Sequence, residues 1–335
     1  MKLGLMVGYW MMGPEDPIER VLIAEDLGYE SVWTAEAYGS DAISPLCWLG
    51  ARTKRIKLGT SVMQLSARSP AMAAMTAMTI DHLSSGRFIL GIGVSGPQVV
   101  EGWYGQPFPR PMERTREFVS LFREIMRREG PIEFEGNHFQ LPLDGGAGLG
   151  KPLKLITKPL RSEIPIYIGA EGPKNVKQTT EIADGWLPLF YSPYRNDIYA
   201  DSLSELRPGF DIAATVNVVV NDDLEAARLP VKWMLSFYMA GMGARKQNFH
   251  ANLLERMGFG DAISKVDELF WAGKREEAIA AVPDEIVDEL ALVGPVERIK
   301  ERAQAWRDSP VTTMLVAPSS PDARPVLETM ADIFL

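Results

Sequence analysis

The parallel fold is first visible in residues 3–34, LGLMVGYWMMGPEDPIERVLIAEDLGYESVWT. An apolar strand ends at Gly8, a helix follows, and a second apolar strand begins at Ser31. Asp16 and Pro17 mark the start of the helix, because a carboxylate accepts hydrogen bonds from first-turn amides and proline fits the first turn. This strand–helix–strand unit is typical of parallel α/β proteins.

The same unit returns along the chain, and we expect eight strands in all. After the two strands above, the predicted strands are residues 56–62, 87–93, 164–169, 185–189, 213–220 and 312–316. Eight strand–helix units in order favour a closed (β/α)8 TIM barrel over an open sheet. We predict an α/β fold with a single TIM-barrel domain over residues 1–335. Two insertions are expected, a loop at about 130–160 and a mostly helical stretch at about 224–292.

Composition and charge limit the possible partners. The formal net charge is −9 and the sequence has no basic run, which argues against nucleic-acid binding. The apolar run at the amino terminus is too short for a signal peptide or a membrane span, so we expect a cytoplasmic protein with no membrane partner. The single Cys47 excludes an internal disulfide, and we expect it to be a small buried hydrophobe.

The catalytic residues of a TIM barrel lie where its strands end. The predicted strand ends carry Tyr9, Trp10, Thr34, Ala35, Glu36, Ser61, Val62, Met63, Val94, Ser95, Gly96, Pro97, Gly169, Ala170, Glu171, Gly172 and Pro173. None of the three histidines, His82, His138 and His250, falls among them, which argues against a metal centre or a Ser-His-Asp site. We therefore expect a bound organic cofactor to supply the chemistry on a small-molecule substrate.

Two glycine-containing loops are suited to a phosphate group. Residues 169–173 leave a strand and enter a helix whose first amides point outward as hydrogen-bond donors. Residues 94–97 supply a second set of donors. Lys174 is the nearest cation, with Arg68 and Lys177 as weaker candidates, and solvated surface charge is the alternative for each. Ordinary turn glycines are the alternative for both loops.

A nicotinamide site is a weaker possibility. Residues 91–96 match the G-x-G-x-x-G spacing of dinucleotide-binding folds. The acidic residue that should follow about 20 residues later is not at a clear strand end. The match alone therefore does not favour a Rossmann fold.

Five segments in order resemble the luciferase-like monooxygenase superfamily, and within it the deazaflavin-dependent oxidoreductases. They are SVWTAE (31–36), LGTSV (58–62), GRFILGIG (86–93), IYIGAEGP (166–173) and ADGW (183–186). The resemblance covers nearly the whole chain and implies a luciferase-like barrel that binds coenzyme F420, with FMN as the alternative cofactor.

The resemblance also implies roles for individual residues. The peptide between Ser61 and Val62 is expected to be cis and to back the deazaflavin ring, with Met63 beside it. Residues 34–36 flank the ring, Val94 and Ser95 line its far side, and residues 169–173 hold the phosphate. Asp184 belongs to a family turn and has no catalytic role.

The sequence departs from two branches of this family. Sugar-phosphate dehydrogenases carry histidine at the position of Glu36 and glutamate in the loop around Gln98. Because both groups are replaced here, glucose 6-phosphate is not the expected substrate. Bacterial luciferases also carry a histidine near strand two, and its absence argues against aldehyde oxygenation of that type.

The leading hypothesis is hydride transfer between the deazaflavin C5 and a small organic substrate. Glu36 is the expected proton-handling residue, Tyr9 and Tyr38 are weaker candidates, and Asp41 is weaker still. The alternative for Glu36 is an ion pair with an arginine or a loop cap. The alternative functions are an FMN-dependent monooxygenase supplied by a separate reductase and a non-catalytic cofactor-binding protein.

The helix around residues 71–78 is apolar on most of its circumference. A barrel helix with one inner face should carry more polar residues outside. We expect a partner subunit to cover the outward-facing apolar residues, and predict a homodimer.

Overall fold

The computed structural model describes residues 1–11, 13–244, 247–320 and 322–335. Its strands are β1 (Lys2–Gly8), β2 (Ser31–Thr34), β3 (Lys57–Thr60), β4 (Met63–Gln64), β5 (Phe88–Gly93), β6 (Phe134–Glu135), β7 (Gln140–Leu141), β8 (Ile166–Gly169), β9 (Gly185–Trp186), β10 (Asp211–Val220), β11 (Ala291–Gly294) and β12 (Thr313–Pro318). The barrel order is β1, β2, β3 continued by β4, β5, β8, β9, β10 and β12, with β12 paired to β1. All these pairs are parallel, so the predicted (β/α)8 barrel is confirmed.

Helices surround the barrel and fill the connections between its strands. They are α1 (Ile18–Leu27), α2 (Ile43–Gly50), α3 (Pro70–Leu83), α4 (Pro97–Gly102), α5 (Pro111–Arg127), α6 (Pro173–Ile182), α7 (Leu224–Ser236), α8 (Phe249–Arg256), α9 (Gly260–Trp271), α10 (Arg275–Ala280), α11 (Asp284–Leu290), α12 (Val296–Asp308) and α13 (Arg324–Phe334). A π-helical turn, Phe237–Gly241, continues α7. No helix in the described ranges has both the length and the apolar character to cross a membrane.

The third predicted strand, residues 56–62, is divided in two. β3 ends at Thr60, and β4 begins at Met63 after the break. The Thr60 hydroxyl accepts a hydrogen bond from the Gly91 amide at 2.9 Å and donates one to the Gly91 carbonyl at 2.7 Å. A Cβ atom at Gly91 would lie 1.7 Å from the Thr60 carbonyl oxygen, so only glycine permits this approach.

The stretch at about 224–292, expected to be mostly helical, contains α7 to α11 and is followed by a strand. Residues Ala291–Gly294 form β11, which pairs with the last four residues of β10. A short apolar run does not distinguish a strand from a buried helix by periodicity alone. α12 precedes the last barrel strand, and α13 follows it.

Cys47 is exposed, so the expectation of a buried thiol is wrong. It lies on α2, which buries Leu46 and Leu49 against the barrel. Side chains on one helix face are three or four residues apart, so Cys47 and its neighbour Trp48 point outward.

Candidate functional site

The strand ends at residues 61–62, 93 and 169 meet at one end of the barrel. The peptide between Ser61 and Val62 is cis, as the resemblance implies. A Cβ atom at Gly93 would lie 2.6 Å from Val62 Cγ2, and one at Gly169 would lie 3.1 Å from Val62 Cγ1. Glycine at both positions therefore lets the Val62 side chain sit between β5 and β8.

The predicted cofactor residues divide into accessible and buried groups. Those that are partly exposed are Ala35, Ser61, Val62, Val94, Ser95, Gly96, Gly169, Glu171 and Gly172. Thr34 and Met63 are buried, and the Thr34 hydroxyl donates to the Ala42 carbonyl at 2.6 Å. Ala170 is also buried, and its carbonyl accepts from Trp186 Nε1 at 2.7 Å. These buried side chains support the site and do not line it.

The loop between β8 and α6 has the geometry that its sequence predicts. Gly172 is the N-cap of α6 and Pro173 is its first residue. The amides of Glu171, Gly172 and Lys174 have no acceptor among the described residues. A Cβ atom at Gly172 would meet nothing within 4 Å, so the space beside the amides is open. Free amides at a helix start bind anions.

The cations near this loop differ in their surroundings. Lys174 and Lys177 are exposed and form no ion pair within the described ranges. Arg68 is mostly buried and pairs with Glu36, away from this loop. Arg256, which the sequence analysis did not single out, donates to the Glu171 carbonyl at 2.8 Å.

Glu36 is buried and both of its carboxylate oxygens accept hydrogen bonds. Oε1 accepts from the Gln64 amide at 2.8 Å and from Arg68 Nη1 at 2.7 Å. Oε2 accepts from the Ala42 amide at 3.0 Å. The Glu36 side chain therefore ties the end of β2 to β4 and to the start of α2, which matches the alternative of an ion pair with an arginine. Its catalytic role stays a prediction.

Tyr9 follows β1 and its phenol lies near that of Tyr238 in the π-helical turn. Burial, with a smaller effect of the nearby Tyr38, raises the pKa of Tyr9 to about 12, although the interaction with Tyr238 lowers it. Tyr9 is therefore a neutral phenol at neutral pH. Asp41 instead accepts from the amides of Ile43 and Ser44, which makes it a cap of α2.

His250 lies at the strand ends, contrary to the expectation for all three histidines. Its Nδ1 is 2.6 Å from Glu171 Oε1, and its ring packs against Tyr238 and Phe190 with centroid separations of 4.8 and 5.7 Å. His250 belongs to α8, 79 residues after Glu171, so no local pattern could have placed it there. The helical stretch after β10 brings it to the barrel.

Tyr238, Met242 and His250 lie over the open end of the barrel. Tyr238 contacts Tyr9 after β1, while His250 contacts Glu171 after β8, and these two strands are four apart in the ring of eight. Between them, Gln98 Nε2 donates to the Met242 carbonyl at 2.5 Å. The helical insertion therefore roofs the space above the strand ends.

Several buried oxygens around this space have no hydrogen-bond partner. Among the described residues they are Gln64 Oε1, Gln98 Oε1, Glu171 Oε2 and Asn175 Oδ1. Gln64 ends β4, and the other three residues follow β5 or β8, the strands that lead into the predicted cofactor loops. Buried acceptors without donors are costly, and hydroxyl groups of a bound ligand would supply the donors.

Another cluster has ligand atoms close enough for a metal ion. Glu113, Glu117 and His138 bring three such atoms within 4.8 Å of one another, on α5 and on the β6–β7 hairpin. The Glu117 carboxylate already accepts from the backbone amides of residues 137–139. These hydrogen bonds explain the cluster as an anchor for the hairpin.

Comparison with protein families gives one match over most of the chain. Residues 5–313 match the luciferase-like monooxygenase family. A Mycobacterium tuberculosis protein, by name a coenzyme F420-dependent oxidoreductase, is 51% identical over 332 residues, which cover 96% of each chain.

More distant relatives agree in fold. The 5,10-methylenetetrahydromethanopterin reductase of Archaeoglobus fulgidus is 30% identical, over 91% of this chain and 90% of the relative. Among solved structures, the coenzyme F420-dependent tetrahydromethanopterin reductase of Methanopyrus kandleri superposes with a TM-score of 0.79 at 23% identity, over 99% of this chain and 97% of that chain. At that identity the superposition shows the shared barrel alone.

Proposed function

The chain belongs to the luciferase-like monooxygenase family, and from this membership we propose that it is an oxidoreductase that uses coenzyme F420. The observation that carries the proposal is the roofed space at the strand ends. It combines free amides at residues 171–174 with a glycine-lined wall around Val62. The 51% identity to the Mycobacterium tuberculosis protein supports the choice of cofactor.

The residues present fit such a cofactor. The amides of Glu171, Gly172 and Lys174 would hold its phosphate, since they are oriented donors at a helix start. The unpartnered oxygens of Gln98 and Asn175 would accept hydrogen bonds from the hydroxyls of its side chain. The Ser61–Val62 peptide would back the ring.

The reaction that we propose is hydride transfer to or from a small organic substrate. The bound deazaflavin supplies or accepts the hydride at C5. The protein binds both partners and excludes water, because Tyr238, Met242 and His250 cover the barrel end. Proton transfer to or from the substrate is left to side chains at the site.

Titration of the purified chain with coenzyme F420 and with FMN tests the cofactor. We expect micromolar binding of F420, measured by quenching of deazaflavin fluorescence, and much weaker binding of FMN. A Gly172→Trp variant places a large side chain beside the free amides and should weaken F420 binding at least about tenfold.

Other outcomes of this titration would point to one of the two alternative functions. Tight FMN binding with none for F420 would favour a monooxygenase supplied by a separate reductase. If F420 binds but neither its reduced nor its oxidised form turns over with any substrate tried, the chain is a cofactor-binding protein.

A homodimer is part of the proposal. Met72, Met75 and Leu83 on α3 are 51%, 49% and 78% exposed. Trp48 on the neighbouring α2 is 49% exposed. Large exposed apolar side chains on adjacent helices are typical of a subunit interface.

A further inference from the structure

Hydride transfer to a carbonyl carbon leaves an oxygen that must gain a proton. A side chain that donates this proton must reach the substrate and must have its protonating atom free. Glu36 does not meet the second condition, because its two oxygens already accept from Ala42, Gln64 and Arg68. The proton donor must therefore be another group that faces the barrel end.

The three histidines lie in three different places. His82, on α3, has Nε2 at 3.0 Å from the Lys158 carbonyl, and His138, on the β6–β7 side, has Nε2 at 3.2 Å from Glu113. Neither is at a strand end. Only His250, of these three, packs against residues that follow barrel strands.

The ring of His250 is oriented by its neighbours. Glu171 Oε1 holds Nδ1 at 2.6 Å, and the edge-to-face contacts with Tyr238 and Phe190 hold the ring plane at 83° to both aromatic rings. The side chain is 23% exposed, and Nε2 has no hydrogen-bond partner within the described residues. A carboxylate on one ring nitrogen and a free second nitrogen are the arrangement of a general acid–base histidine.

The titratable groups around His250 come from three elements. Glu171 is on the β8–α6 loop, and Arg256, on α8 itself, binds the Glu171 carbonyl. Tyr238 faces the ring from the π-helical turn, and burial raises the pKa of Tyr238, so it is neutral. Glu171 is thus the charged group that contacts the His250 ring, through Nδ1.

The surroundings of His250 are aromatic. Phe190, Tyr238 and Tyr9 are partly or fully buried around the same space, and both tyrosines are neutral. Such a lining favours uncharged, mostly apolar substrates over anionic ones.

We propose that His250, oriented by Glu171, is the catalytic acid and base of this enzyme, and that its substrates are small uncharged carbonyl compounds and the corresponding alcohols. This rests on the proposed function, since reduced F420 is the reductant. In carbonyl reduction, the π bond of C=O breaks, the hydride forms the new C–H bond, and the proton on His250 Nε2 forms the O–H bond. The cofactor is oxidised and the carbonyl is reduced by two electrons. His250 Nε2 regains its proton from solvent, and alcohol oxidation is the reverse.

The test compares His250→Ala and Glu171→Gln with the unaltered protein. The probes are reduced F420 with butanone, cyclohexanone and benzaldehyde, followed by the return of deazaflavin absorbance. We expect kcat to fall about 100-fold in His250→Ala and about tenfold in Glu171→Gln. The kcat–pH profile should lose one limb in His250→Ala, and free imidazole should restore part of its activity.

Two measurements do not depend on turnover. F420 affinity by fluorescence should change less than about threefold in His250→Ala, because the phosphate contacts are backbone amides. In the proton NMR spectrum of the unliganded chain, the Nδ1 proton of His250 should be strongly downfield and should disappear in both variants. His82→Ala is the matched control, and it should change neither the rate nor that signal.

The outcomes that overturn the catalytic role of His250 differ from those that overturn the assignment of F420 as the cofactor. Unchanged kcat in His250→Ala, no rescue by imidazole, or a loss explained by weaker F420 binding would remove His250 from catalysis. A protein that binds F420 but reduces none of the three carbonyl probes would also overturn it, and the cofactor assignment would stand. Failure to bind F420 at all would overturn both.

Discussion

Glu36 shows how a single buried side chain can be tested for two roles. Replacing it by glutamine keeps the shape but removes the charge opposite Arg68. Because the carboxylate accepts from three donors, we expect Glu36→Gln to lower the free energy of unfolding by about 1 to 3 kcal/mol, measured by urea denaturation. Turnover per folded molecule should change less than about threefold.

The control is Glu30→Gln, which removes an exposed carboxylate paired with Lys57 and should cost little stability. A Glu36→Gln variant with full stability, unchanged F420 affinity and turnover reduced at least about tenfold would assign the proton transfer to Glu36.

Lys174 is the exposed cation next to the free amides of the β8–α6 loop. We expect Lys174→Ala to weaken F420 binding more at low than at high salt, because exposed charges are screened within about 10 Å at 0.1 M ionic strength. Fluorescence titrations at two salt concentrations measure this. Lys177→Ala, one turn further along α6, should have a smaller effect. If Lys174→Ala binds F420 as tightly as the unaltered protein at both salt concentrations, Lys174 is excluded from the site.

At the scale of elements, Asp211 joins four barrel strands at the end opposite the site. Its carboxylate, at the start of β10, accepts from Lys2 Nζ at 2.9 Å, Tyr167 Oη at 2.8 Å and Thr313 Oγ1 at 2.8 Å. Thr312 donates to it as well. Burial alone would raise the pKa of Asp211, but the hydrogen bonds from Thr312 and Lys2 and the charge of Lys2 lower it overall.

A lowered pKa means that the folded protein binds this proton less readily than the unfolded chain. The stabilisation by Asp211 is therefore complete above the unfolded value near 4 and is lost as pH falls through the lower folded value. We expect Asp211→Asn to cost about 2 to 3 kcal/mol of unfolding free energy at pH 7. The difference from the unaltered protein should shrink below about pH 4.

Urea denaturation at several pH values measures the cost of Asp211→Asn in unfolding free energy and how that cost depends on pH. Asp26→Asn is the control, since the Asp26 side chain is 83% exposed and its arginine partner is 3.7 Å away. A difference between Asp211→Asn and the unaltered protein that is independent of pH would contradict the role given to the ionised carboxylate.

At the scale of the whole molecule, the exposed apolar face of α3 should lie in a dimer interface. We expect the chain to be a dimer by light scattering at micromolar concentration. Met72→Glu combined with Met75→Glu should shift it to monomer, because two charges would be buried without partners. Leu229→Glu is the control, on α7, where Leu229 is 57% exposed. A monomer before substitution would contradict the assembly.

The sequence alone predicted the barrel and the two loops that the cofactor proposal uses. Alternating strands and helices have periods that are local, and Gly172-Pro173 places the start of α6 within a few residues. The resemblance added the cis peptide between Ser61 and Val62, which the structure contains. These features follow from short-range geometry or from motifs of a few residues.

Only the tertiary structure decided which side chains meet at the barrel end. Arg68 reaches Glu36 across 32 residues, and His250 reaches Glu171 across 79. Helix and strand periodicities relate residues only a few positions apart. Both of these contacts instead depend on how a connecting segment packs over the strand ends. The helical insertion brings His250 to the barrel end, where no strand end carries a histidine. Arg68 pairs with the carboxylate of Glu36, the residue that the sequence predicted to be catalytic.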